Sequence, residues 1–127
     1  MAKYAHADVL DGGLNAIRNG ATQMLLLKAY SPGDSYATVS GNTICAVPMS
    51  AADYSLSGPD GAARVLTVAP KNGTASGSSG PSPDLHIAFT DGSAKVLLVT
   101  DETSDQVVTS GNTISFPNLT YTSNQPA

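Results

Sequence analysis

Charge is what this chain has least of. Lys, Arg, Asp and Glu make up 13% of its 127 residues, about half the usual share of roughly 25%. A free-standing soluble domain normally wears a mixed charged coat, so a surface this neutral points to one partly covered by other protein. Positive charge is scarcer still. Six Lys and Arg stand against ten Asp and Glu, for a formal net charge of −4, and the six (Lys3, Arg18, Lys28, Arg64, Lys71, Lys95) are scattered singly. Nucleic-acid binding needs clustered cations that displace counterions from phosphate, and docking on anionic lipid needs a basic run. With neither present, no nucleic-acid and no membrane partner is expected.

Long hydrophobic runs are missing too. Residues 24–27 and 96–99 are the longest, far short of the roughly 20 that a membrane helix takes. The first residues include no apolar stretch of the signal-peptide kind, which points to synthesis in a cytoplasm. A single cysteine, Cys45, excludes an internal disulfide, leaving the apolar core to hold the domain. Set between Ile44 and Ala46, Cys45 reads as a small buried hydrophobe rather than a reactive thiol. Histidines are two, His6 and His86, neither with a Cys or His at ligand spacing, so no metal and no cofactor is expected. His86, between Leu85 and Ile87, is expected to face solvent or a satisfied hydrogen bond. Residues 77–80 lack the Lys and the strand-to-helix setting of a phosphate loop. The sequons Asn72-Gly73-Thr74 and Asn118-Leu119-Thr120 read as chance matches without a secretory signal.

What the chain does have is turns and short strands. Leu10, Leu14 and Ile17 recur at helical spacing, Asp8 and Asp11 suit the positive end of a helix dipole, and Asn19-Gly20 is a stop, so one short N-terminal helix is expected over about residues 8–18. Gly12-Gly13 weakens it by about 1 kcal/mol per glycine relative to alanine. Its apolar stripe would dock on this domain's own sheet or on another subunit. Strand-type runs follow at 23–30, 43–47, 54–56, 64–69, 85–89, 95–100, 105–109, 112–116 and 119–122, separated by turn clusters such as Ser31-Pro32-Gly33-Asp34 and Gly58-Pro59-Asp60-Gly61. Ser50 with Asp53 resembles a capping box over a single turn, and residues 90–94 read as a hairpin turn. Residues 71–83 are Gly/Ser-rich and read as an exposed flexible loop with nothing to enter a core. Residues 123–127 form a polar tail. About eight short strands at this spacing make a mainly β, single-domain β-sandwich over 1–127. Ser40-Gly41-Asn42-Thr43-Ile44 recurs as 110–114, either one turn chemistry used twice or a duplication.

Gly33-Asp34-Ser35 after the first strand resembles the nucleophile motif of GDS-type lipases and esterases. A serine nucleophile needs a His base oriented by an acid. That family supplies them late in the chain as Asp-x-x-His, whereas no histidine follows His86, so the motif reads as an ordinary turn and no enzyme is expected.

Residues 64–71, 83–92 and 96–112, with the opening block 7–17, resemble a family of small virion proteins of tailed bacteriophages. The resemblance implies a capsid decoration or cement protein, a β-sandwich of jelly-roll type on the outside of the head beside the major capsid protein, forming a homo-oligomer and bringing no catalytic residues. Under that implication the expected contacts are Lys3, Tyr4 and His6 in the N-terminal arm, Leu10, Leu14 and Ile17 on the helix, the 71–83 loop, and Tyr121 with the tail behind it. A phage tail, neck or host-binding β-module is the alternative.

Overall fold

The computed structural model describes residues 3–102 and 104–126. Its first element, α1 (Ala7–Gly20), runs beyond both ends of the expected helix and straight through Gly12-Gly13. The glycine pair is tolerated because the helix is held from outside itself. Leu10, Leu14 and Ile17 are buried, and Asp11 on the same face takes a bidentate pair from Arg64, with Nε donating to Oδ1 at 2.8 Å and Nη2 to Oδ2 at 3.1 Å. The third guanidinium nitrogen, Nη1, donates to the Gly58 carbonyl. His6 caps the helix by accepting the Asp8 N–H on Nδ1 at 3.0 Å.

Nine strands follow: β1 (Gln23–Leu27), β2 (Thr43–Pro48), β3 (Tyr54–Ser57), β4 (Arg64–Val68), β5 (Lys71–Thr74), β6 (His86–Thr90), β7 (Val96–Asp101), β8 (Thr113–Phe116) and β9 (Leu119–Ser123). They form antiparallel sheets in the orders β2-β1-β6-β7, β3-β4-β9 and β5-β8. The domain is mainly β, a small sandwich with an N-terminal helix. Its division into four, three and two strands lies outside the two-sheet, eight-strand plan of a strict jelly roll.

Strand alternation explains the core. On β1, Met24 and Leu26 join Ile87 and Phe89 of β6 against Tyr54, Leu66 and Val68 of the second sheet. Leu25 and Leu27 point the other way, onto Ala88 and the fully buried Val39. A strand buried on both faces reads as an unbroken apolar run, which is why residues 24–27 lack alternation. Val39 belongs to α2 (Tyr36–Gly41), a six-residue helix that the sequence reading does not contain. It is too short for periodicity, and its Thr38 and Val39 are β-branched. The expected single turn at Ser50 is present as a 3₁₀ turn over Ala51–Asp53, where the Asp53 carboxylate accepts the Ser50 N–H at 2.8 Å. Lys71, with its Nζ 2.9 Å from Asp53 Oδ1, and then the Ser50 N–H hold that carboxyl below the usual range.

Three expectations need correction. Residues 71–83 are not a free loop: the first four form β5, Ala75 is buried, and the Ser76 and Gly77 N–H groups both donate to the Ile44 carbonyl, at 2.7 and 3.3 Å. Small side chains cannot fill a core, but they let the backbone itself come close enough to bond. At Gly73 an added Cβ would lie 2.8 Å from Cys45 Sγ and from Val47 Cγ2. Residues 105–109 are not a strand. They pair with no neighbouring strand: the Val108 N–H donates to Ser79 Oγ at 2.9 Å, the Val108 carbonyl accepts the Ser79 N–H at 2.9 Å, and Asp105 Oδ1 accepts the Leu85 N–H at 2.8 Å. Nor is the repeated pentapeptide one turn used twice. Ser40-Gly41 ends α2 with Asn42 as its C-cap, whereas Gly111 sits in a turn at φ 94; each copy then enters a strand.

Candidate interaction surface

Three of the expected contact residues turn inward. Leu10 is 9%, Leu14 1% and Ile17 5% exposed, because α1 settles on this domain's own strands β3, β4, β7 and β9. The stripe is therefore structural, which resolves the choice between own sheet and other subunit. What it does build is the floor of a groove of about 370 Å³. Leu97 and Leu98 of β7 form one wall, Tyr121 and Ser123 of β9 the other, and Val9 and Gly13 the helical rim. Val9 is 69% and Tyr121 46% exposed. Strands β7 and β9 are each the last of their sheet, and neither groove-side run carries a Lys or a Pro, the residues that usually protect an open edge.

The N-terminal arm is tied down instead of free. Tyr4 Oη donates to Asp60 Oδ2 at 2.6 Å, and the Ala7 N–H donates to Asp60 Oδ1 at 2.9 Å. These two donors hold the Asp60 carboxyl below the usual range, and the same bond raises the Tyr4 hydroxyl. His6 brings Nε2 to 4.0 Å from Asp60. The tail closes the cluster: Gln125 accepts the Ala5 N–H at 2.8 Å and donates to the Ala5 and Ala62 carbonyls at 2.9 and 3.1 Å. Exposed Lys3 begins this arm; Ala127, the last residue of the tail, lies outside the described residues.

Ser35 of the Gly-Asp-Ser motif caps α2. Its Oγ accepts the Thr38 N–H at 3.3 Å and lies 3.2 Å from Thr38 Oγ1, while Asp34 accepts the Ser31 N–H at 2.9 Å. Cys45 is buried as expected, and burial pushes its thiol up. His86 takes the second of its two expected settings, a hydrogen bond: its Nδ1 lies 3.2 Å from the Asp84 carbonyl oxygen, and the ring, with its side chain 15% exposed, packs on Tyr30 with centroids 5.6 Å apart. Among the described residues no helix is long and apolar enough to cross a membrane.

No protein-family model matches the chain, and no curated protein or solved structure matches it. The groove and the pinned arm therefore carry the functional argument on their own geometry.

Proposed function

We propose that the chain is a structural protein of a tailed-bacteriophage virion: a decoration protein that binds the major capsid protein on the outside of the head, forms homo-oligomers there and cements the shell. The observation that supports this reading is the groove. An apolar trough between two open strand edges, rimmed by exposed Val9 and Tyr121 in a chain with 13% charge, suits burial against protein at low desolvation cost. A ligand that binds only the assembled shell shifts the equilibrium toward it, so the role needs area and no reaction centre. The likeness of residues 64–71, 83–92 and 96–112 to small phage virion proteins points the same way.

The test is co-sedimentation of the purified chain with heads of the parent phage assembled without it. Saturable binding at a fixed ratio to capsid subunits, with greater resistance of the heads to heat, is expected. Val9→Lys, which alters only an exposed position, should weaken that binding on the order of tenfold. Absence of binding to heads, with binding to tails or host cells, would overturn the reading in favour of a tail or host-binding module.

A further inference from the structure

At the end of the β6–β7 hairpin opposite its turn, strand pairing brings Asp101 beside Asp84 and His86, three side chains of metal-ligating type. His86 opens β6 and Asp101 closes β7, and the two are direct cross-strand partners. Asp84 precedes His86 by two residues. Asp84, His86 and Asp101 can each place one ligand atom within 4.8 Å of the other two.

The histidine ring is oriented by its neighbours. Its Nδ1 lies 3.2 Å from the Asp84 carbonyl oxygen, a group that can only accept, so Nδ1 carries the proton. Nε2 then faces Asp101 Oδ1 at 3.8 Å. That gap is too long for a hydrogen bond and leaves room for one ion to bridge the two atoms. A ring N–H given to a backbone carbonyl is also how metal-binding histidines are usually oriented, and the Tyr30 ring against His86 restricts the other face. The Arg64–Asp11 and Lys71–Asp53 ion pairs lie elsewhere.

We propose that Asp84, His86 and Asp101 form a binding site for a divalent transition-metal cation. One imidazole nitrogen and two carboxylate oxygens suit zinc or manganese better than a purely hard or purely soft ion. Asp84 and Asp101 are exposed, so the remaining coordination positions open to solvent. The ion would clamp the segment entering β6 to the last residue of β7 and stabilise the fold by mass action.

The test is calorimetric titration of the chelator-treated full chain with zinc chloride, run beside a thermal melt. One equivalent per chain and a raised Tm are expected. Asp101→Asn, at a position 59% exposed, should keep the native circular dichroism while weakening zinc at least about tenfold, and His86→Ala should abolish binding. His6 is the internal control: its Nδ1 lies 3.7 Å from Asp8 and its Nε2 4.0 Å from Asp60, yet among the described residues it belongs to no such triad, so His6→Ala should bind zinc like the parent. No saturable heat up to roughly 1 mM zinc, full binding by Asp101→Asn, or loss in His6→Ala would each overturn the site.

Discussion

The two sides of the sandwich are closed by different means. On the β2 side, small residues let backbone bond to backbone: Ser76 and Gly77 donate to Ile44, Ala75 donates to the Asn112 carbonyl, and the Gly111 N–H returns to Ala75, these last two at 2.8 Å. On the other side β7 and β9 are not joined; α1 is laid across them and held by Leu14, Ile17 and the Asp11–Arg64 pair. Stitching with main-chain bonds consumes the groups that another chain could use. Packing with side chains leaves strand edges open and a groove above the buried stripe.

Cutting the helix anchor should have the largest effect. Leu14 is 1% exposed, and Leu14→Ala should lower the unfolding free energy by about 2–5 kcal/mol in urea titration, with loss of head binding as the groove floor collapses. Attack on the stitched side comes next. Gly73→Ala forces a methyl group against Cys45 and Val47 and should cost about 1–3 kcal/mol while leaving head binding at saturating chain intact. A milder probe is Tyr54→Phe. The Tyr54 hydroxyl, pushed up to about 12 chiefly by burial and then by the Asp53 charge, donates to the Ala21 carbonyl at 2.9 Å just past α1. Losing that donor should cost about 1 kcal/mol, read in the same titration.

The smallest effect concerns acid, and lies in the β6–β7 turn. Asp91 Oδ1 accepts the N–H groups of Ala94, Lys95 and Ser93 at 2.8 to 2.9 Å, which lowers its pKa to about 2. A carboxylate lowered in the fold contributes stability that is complete above its unfolded value of about 4 and disappears as pH falls toward 2. Melting temperatures of Asp91→Asn should therefore fall less steeply than those of the parent between pH 4 and 2, and the two should be parallel above pH 5. An equal slope in the acid window would sink the assignment.

What was readable in the sequence depended on side chains. The Leu10, Leu14, Ile17 stripe announced α1, and the apolar runs announced β1, β6 and β7, because burial of large residues leaves a periodic trace. Residues 71–83 misled for the opposite reason: Gly73, Ala75 and Ser76 are held by backbone bonds and close approach, which composition does not record. Asp105–Gln106–Val107–Val108 has strand composition, yet its partners are Ser79, through both hydroxyl and backbone N–H, and the backbone N–H of Leu85, not a neighbouring strand. The groove was half legible. Leu10, Leu14, Ile17 and Tyr121 were all singled out, but that the first three form its floor and the last its wall depends on the meeting of β7 and β9 beside the helix. His86 was set aside as a ligand for want of a neighbouring Cys or His; that Asp101 lies beside it depends on strand register, which local spacing does not record.

The Gln125 bonds to Ala5 have a practical consequence. Residues 5 and 125 are held side by side, so a peptide genetically fused before one or after the other would leave the domain from the same patch beside Asp60. A short linker between those ends would yield a circular permutant, with new termini opened in the exposed turn at Gly33.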